Sequence, residues 1–336
     1  MLPMAPVATA LVIGATGNLG HAVAMALTQH GWKVRALTRH DEPGHPAIEW
    51  IKGDAMHAGN VLQAAEGAHA IVHAANPPGY RRWRELALPM LDNALAAARQ
   101  HGARLLLPGN VYNFGPDAGA VVNEISPQHP LTQKGRVRVE MEQRMADAAG
   151  AGTRCLVVRA GDFFGGSGES SWFNHLWRYK GEVPRRLHYP GDPDTGHAWA
   201  YLPDLAETMA RVLDTDRQHP GRLAPFEVLH FGGHWLPRGV EMAHAVARAL
   251  GHPDLPVRPF PWRVVQLGQW VVPVLREILE MRYLWDTPLR LDNARLLHLL
   301  GDEPHTPLDQ AVRASLGLGD TACLTAVASG QSARAG

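Results

Sequence analysis

Seven residues near the start of the chain restrict its fold more than any others: Gly14-Ala15-Thr16-Gly17-Asn18-Leu19-Gly20, set between an apolar run and a helical pattern. Glycines at 14, 17 and 20 suit a turn that leaves a strand, lets backbone approach a phosphate and then packs a helix closely on that strand. The leading N–H groups of such a helix, at its positive dipole end, hold an anion. The segment therefore predicts a dinucleotide cradle formed by Gly14, Thr16, Gly17, Asn18, Leu19 and Gly20.

The pattern around this turn predicts the rest of the architecture. Residues 8–13 read as a strand covered on both faces, and 18–30 as a helix closed by Gly31. Further strands are expected at 33–38, 48–52, 70–74, 104–107 and 153–159, with helices over 84–101 and 131–149. This alternation predicts an α/β fold, a doubly wound parallel sheet of the Rossmann type, with a smaller, mostly helical C-terminal substrate-binding part. Residues 1–165 are expected to form the dinucleotide domain, with 196–232 returning to it. Residues 166–195 and 233–320 form the substrate part, and 321–336 a disordered tail. In the second half, strands are expected at 199–202 and 226–231. Helices are expected near 171–179, 203–213, 238–250, 262–280 and 307–316.

Composition removes several classes. Of 336 residues, 32 are basic and 32 acidic, a zero balance that gives nucleic acid no basic face to meet. Two cysteines, Cys155 in an apolar strand and Cys323 in the tail, rule out a disulfide scaffold and point to a reducing cytoplasm. The stretch 264–279 is interrupted by Gln266, Gln269, Arg276 and Glu277 and is too polar and short to span a membrane. Residues 1–13 lack a positively charged start and run straight into the glycine turn, unlike an export signal. The pairs His69/His73 and His230/His234 have a helical metal-ligand spacing, but on strands four residues span roughly 13 Å, so no metal is expected. The cluster Arg81-Arg82-Trp83-Arg84 reads as a solvated helix start or a gate to the cleft. The partners expected are a small-molecule substrate and, as an option left open, a second copy in a homodimer.

The second strand carries Arg35 and ends at Arg39, with no acid before Asp41 to meet a ribose 2′-hydroxyl. Arg39, with Arg35 as helper, suits a 2′-phosphate, which favours NADP as cofactor, with NAD as the alternative. Asp54, after the third strand, suits the adenine amino group.

Gly14 to Gly20, Asp54, His73-Ala74-Ala75-Asn76 and Tyr201-Leu202-Pro203-Asp204 resemble the extended short-chain dehydrogenase/reductase superfamily, the group of nucleotide-sugar epimerases and dehydratases. The likeness runs to about residue 316 and adds Ala74, Ala75 and Asn76 to the expected cofactor contacts. The superfamily works with a Tyr-x-x-x-Lys pair, in which lysine holds the ribose and tyrosine exchanges a proton. Here none of Tyr80, Tyr112, Tyr179, Tyr189, Tyr201 and Tyr283 has lysine four positions later. Aligned on Glu140, Arg136 stands at the lysine position and Thr132 at the tyrosine position, with Lys134 an alternative cation. The run Asn110-Val111-Tyr112-Asn113-Phe114-Gly115 resembles the family's serine segment, with Asn110 at the serine. The catalytic candidates are thus Asn110, Tyr112, Thr132 and Arg136. Arg136 doubles as a ribose contact, and Tyr112 is a proton donor or else a packed or substrate-touching residue. Trp172, His175, His197, Trp199 and the segment 159–165 fall where extended relatives build the substrate pocket.

The resemblance implies an atypical NAD(P)-binding oxidoreductase, or an epimerase/dehydratase-like enzyme, acting on a small organic carbonyl or hydroxyl compound. The alternative is a catalytically inactive NAD(P)-binding sensor.

Overall fold

The computed structural model describes residues 7–40, 45–77, 83–166, 171–177, 183–269 and 279–318. Cys323, the tail 321–336, Arg81, Arg82 and the middle of the helix expected over 262–280 lie outside these residues.

The first half runs β1 (Thr9–Ile13), α1 (Asn18–Gln29), β2 (Lys33–Thr38), β3 (Ile48–Lys52), α2 (Ala58–Ala64), β4 (Ala70–His73), α3 (Trp83–His101), β5 (Arg104–Asn110), β6 (Val121–Val122), α4 (Gln133–Gly150), β7 (Arg154–Ala160) and β8 (Asp162–Phe164). It continues with α5 (Trp172–Trp177), β9 (Leu187–Tyr189), β10 (His197–Tyr201), α6 (Leu202–Gln218), β11 (Phe226–His230), β12 (His234–Leu236) and α7 (Glu241–Ala249). The last elements are β13 (Val257–Pro259), α8 (Trp262–Gly268), α9 (Tyr283–Asp286), β14 (Arg290–Leu291), α10 (Ala294–Leu300) and α11 (Leu308–Ser315).

Seven strands in the order β3-β2-β1-β4-β5-β7-β11 pair in parallel throughout. This is the doubly wound Rossmann-type sheet. Successive side chains point to opposite faces, and both faces are apolar because both are covered. Ala10, Val12, Val34, Val72, Leu106 and Val158 pack in one core with residues of α1 and α6. Leu11, Ile13, Ile71, Leu105, Leu107 and Val157 pack in the other with α2, α3 and α4. The strand order reverses between β1 and β4, which opens a crevice at their C-terminal ends.

A second body carries β8, β10 and β12 as a small sheet. Its core is aromatic, built on Phe164, Phe173, Trp177, Trp199 and Trp285 with α7 and α11. Two carboxylates tie the C-terminal segment back. Asp204 accepts from the Thr306 N–H and hydroxyl, both at 2.7 Å. Glu303 accepts from the N–H groups of Gly232 and Gly233 and from Asn293 Nδ2. Among the described residues no helix is long and apolar enough to cross a membrane.

Differences from the sequence reading have local causes. β5 runs three residues further than expected, through Pro108 and Gly109 to Asn110. It pairs with β4 only through Leu106 but with β7 to its end, so one edge is open where proline lacks an N–H. The helix α2, unexpected from sequence, buries only Val61 and Ala64, too few positions to make a periodic pattern.

Below the C-terminal edge of the sheet lies a buried ion network. Arg159 on β7, 1% exposed, donates to Glu142 of α4 through Nε (3.1 Å) and Nη2 (2.6 Å). Its Nη1 donates to His230 Nε2 at 3.2 Å, and its guanidinium lies over the Phe114 ring. Burial, then the Arg159 charge, pushes the His230 pKa down to about 3, so the ring stays neutral and can accept. Asn113 Nδ2 donates to Glu142 Oε1 and to Gln128 Oε1, each at 2.9 Å. Replacing Glu142 with alanine leaves Arg159 buried without its counterion and is expected to cost about 3–5 kcal/mol, read as a lowered midpoint in urea unfolding.

On the other face, His30 at the end of α1 meets Asp214 (2.6 Å) and Glu207 (3.0 Å) of α6, and Trp32 Nε1 donates to Asp214. Burial lowers the His30 pKa, but the hydrogen bonds that its ring donates to Asp214 and Glu207, with their charges, outweigh it, and the net shift is upward. A folded pKa above the unfolded one stabilises fully below about 6.5 and fades as pH rises through the folded value. Wild type should therefore lose Tm from pH 6 upward more steeply than His30→Gln, checked by thermal melts across that range.

Candidate active site

The crevice over β1, β4 and β5 is a cleft of about 500 Å³. Gly14 leaves β1 with φ +92°, and a Cβ there would stand 2.6 Å from the Ala75 nitrogen. A Cβ on Gly20 would overlap the Gly14 carbonyl oxygen, so α1 presses directly onto the turn. Gly17 is the N-cap of α1, with no side chain capping the helix and no acid in its first turn. The leading N–H groups and the positive helix end therefore face the cleft.

Around this end, Thr16, Asn18 and Leu19 line the cleft beside the glycines. Arg39 and His40 stand at the rim after β2, and Asp54 after β3. The Asp54 N–H donates to Asn60 Oδ1 (3.1 Å) and its Oδ1 accepts from the Met56 N–H (2.9 Å), which fixes the carboxylate in a turn. Arg35 points elsewhere, donating to the carbonyls of Ala64, the last residue of α2, and of Glu66 just past it. Ala74, Ala75 and Asn76 follow β4 along the floor, and Asn110 and Tyr112 follow β5.

Thr132 and Arg136 lie outside the cleft lining. Thr132 is the N-cap of α4, its hydroxyl accepting from the Gly135 N–H at 3.0 Å. Arg136 is exposed and donates to the Leu131 carbonyl. The side chain that enters instead is Arg138, two residues and about 200° further around the helix. Arg138 is 6% exposed and donates to Asn76 Oδ1 (3.1 Å) and the Pro108 carbonyl (3.2 Å), with its guanidinium over the Trp83 ring. Lys134 is buried on the same face one turn earlier, so α4 carries Lys-x-x-x-Arg in this register. Beside Arg138, His73 lines the cleft at 1% exposure with no hydrogen-bond partner for either ring nitrogen among the described residues. Burial, and then the Arg138 charge, push its pKa down to about 4.

The sequence signal for Arg138 was the buried stripe of α4, residues 134, 137, 138, 141, 142 and 145, which selects 138 over 136. His73 opens the run His73-Ala74-Ala75-Asn76, of which the sequence reading assigns only the last three to the cofactor.

The 3₁₀ turn Val111–Asn113 carries Tyr112. Asn110 Oδ1 accepts from the Tyr112 N–H at 3.0 Å, which leaves the Asn110 amide N–H₂ as its donor. The next residue, Asn113, is locked into the Glu142 network. Gly135 abuts this turn so closely that a Cβ would overlap the Tyr112 carbonyl. Beyond Tyr112, the cleft ends on Asp162, Phe163, Ser171 and Trp172. Trp172 sits edge-on to Trp262 and Trp285.

The donor set fits a dinucleotide: an uncapped helix end for a pyrophosphate, a floor that a Cβ would fill, and an orphaned imidazole beside a buried cation. A thiol mechanism has no support from Cys155, which is buried in β7 and whose pKa burial pushes up to about 12.

Comparison with known proteins agrees with this geometry. The family described as NAD dependent epimerase/dehydratase family matches residues 10–224. The human epimerase family protein SDR39U1 is 25% identical over 223 residues, covering 62% of this chain and 71% of that protein. Ceramide reductase of Caulobacter vibrioides is 36% identical over 104 residues, which covers 29% of this chain and only 32% of that protein. Among solved structures, a UDP-glucose-4-epimerase from Stenotrophomonas maltophila, with bound NAD and formylated UDP-arabinopyranose, superposes at a TM-score of 0.75. It has 15% identity over 96% of this chain and 99% of that one.

Replacing Arg138 with methionine is expected to weaken NADPH binding by about tenfold or more, roughly 1.4 kcal/mol. Arg136→Met should leave it within twofold of wild type. Fluorescence titration of the two variants separates the two arginines.

Proposed function

The chain belongs to the NAD-dependent epimerase/dehydratase family, and on that premise we propose that it is an NADP-preferring oxidoreductase acting on an apolar organic carbonyl or hydroxyl compound. The observation that carries this reading is the uncapped N-terminus of α1 at the head of a cleft that continues past Asn110 and Tyr112 to an aromatic wall.

Bound nicotinamide supplies or accepts the hydride. The chain's own residues bind, orient and move the proton. The α1 N–H groups hold the pyrophosphate. Arg39 at the rim meets a 2′-phosphate, and Asp54 meets the adenine amino group. Arg138, fixed by Asn76 and Pro108, holds the nicotinamide ribose by charge and hydrogen bonding. The Asn110 amide donates to the substrate oxygen, and the Tyr112 hydroxyl exchanges its proton. Support for carbonyl chemistry on an apolar molecule comes from the partial likeness to the Caulobacter protein, named for ceramide reduction, and from Phe163 and Trp172 in the wall. An epimerase or dehydratase uses the same hydride, and the ligand of the Stenotrophomonas neighbour makes a UDP-sugar its probe.

A second reading, a nucleotide sensor without turnover, is favoured by one observation: α4 carries no tyrosine, and its contribution to the described cleft lining is Arg138, a side-chain type that keeps its proton near neutral pH.

The discriminating experiment titrates NADPH and NADH fluorescence, then follows NADPH oxidation over a set of aromatic and long-chain ketones. The enzyme reading expects tighter binding of NADPH than NADH and turnover of at least one ketone. Tight binding of reduced and oxidised forms with no turnover favours the sensor. Arg39→Ala should cut the NADPH-over-NADH preference by about tenfold and leave NADH affinity unchanged.

A further inference from the structure

The far end of the cleft carries a charge pattern that selects among substrates. Past Tyr112 its described walls are Gly161, Asp162, Phe163, Ser171, Trp172 and Leu202, among which Asp162 is the only ionisable side chain. The arginines of the described lining are placed or engaged otherwise: Arg39 follows β2, on the other side of β1, and Arg138 is tied to Asn76 and Pro108.

Asp162 is a held group, not a loose surface acid. It is 8% exposed and opens β8, pairing with Trp199 in the parallel ladder to β10. His197 Nε2 lies 2.9 Å from Asp162 Oδ2. The His197 ring is itself stacked on Trp285 at 4.1 Å with the planes 9° apart. Asp162 borders both the cleft and a small cavity that His197 also lines, whereas His197 does not line the cleft. The imidazole thus holds Oδ2 on the cavity side and fixes the carboxylate as an oriented acceptor.

A carboxylate only accepts hydrogen bonds, and so does a phosphate. A diphosphate laid along this wall would meet an acceptor in place of a donor, in a partly buried site where unpaired polar groups are costly. A hydroxyl suits the same atom, and Phe163 and Trp172 suit an apolar body beside it. We infer that the substrate is a phosphate-free apolar alcohol, or its ketone bearing a further hydroxyl, that donates a hydroxyl hydrogen bond to Asp162, and that a nucleoside-diphosphate sugar is excluded by that acid. This deepens the oxidoreductase reading above and rests on it.

The test measures binding of UDP-glucose and of a set of apolar aryl and long-chain diols to the full chain, each with and without saturating NADP⁺. The expected result is saturable binding of at least one diol, and no binding of UDP-glucose up to about 5 mM. Asp162→Ala should weaken the bound diol by about tenfold or more and bring UDP-glucose into the measurable range, while NADP⁺ affinity stays within twofold. UDP-glucose binding to wild type below about 100 μM overturns the inference. So does failure of every diol to bind, or an Asp162→Ala variant that binds both classes as wild type does. Failure of NADP⁺ itself to bind counts against the preceding function. The titrations without cofactor still decide whether Asp162 discriminates between the two ligand classes.

Discussion

The site depends on one buried ion pair. Arg159 and Glu142 join β7 to α4 under the C-terminal edge of the sheet, and each has other partners that matter to the cleft. Glu142 holds Asn113, and through it the turn that carries Tyr112. Arg159 holds the neutral ring of His230 on β11 and covers Phe114. Two charges this deeply buried cost free energy to desolvate, and the pair is tolerated because both carboxylate oxygens and several guanidinium N–H groups are satisfied. What results is rigidity where it is useful. The backbone of the loop after β5 cannot drift, and the register of α4 is set against it, which decides that Arg138 faces the cleft.

That register also shows where sequence reasoning stopped. Strand and helix placement in the first half was readable because a doubly covered sheet writes itself as continuous apolar runs, and glycines close the helices: β2 and β3 fall on the expected residues. The glycine turn was readable because only glycine fits at 14 and 20, where neighbouring backbone occupies the space of a Cβ. The helix α4 was harder. Its existence followed from its pattern, but its facing residue was inferred from a family offset, and an error of two residues turns a helix just over half way round. Thr132 was drawn to the site by that offset, while its hydroxyl serves the helix end. Asp162 and His197 illustrate a different limit. They are 35 residues apart, and only the pairing of two short strands brings them together.

The cleft is divided electrostatically as well as spatially. Its head offers donors: the α1 amides, Arg39 at the rim, and Arg138 over the floor. Its far end offers an acceptor, with aromatic rings around it. Such a gradient orients a bipartite occupant, because the anionic part and the hydroxyl-bearing part have opposite preferences. His73 stands between the two, kept neutral by burial and by Arg138. A neutral imidazole both donates and accepts, so it can serve a ribose hydroxyl without adding charge to the middle of the cleft.

The indole of Trp172, which lines the cleft, packs edge to face with those of Trp262 and Trp285, and Trp285 is further coupled to Trp199 and through it to Trp177. Excitation absorbed anywhere in this chain of rings can migrate to the member that lines the cleft. Indole emission overlaps the absorption band of a reduced nicotinamide, so the packing that stabilises the second body also makes it a light-harvesting antenna. A reduced nicotinamide bound in the cleft would therefore quench indole emission that an oxidised one would leave in place.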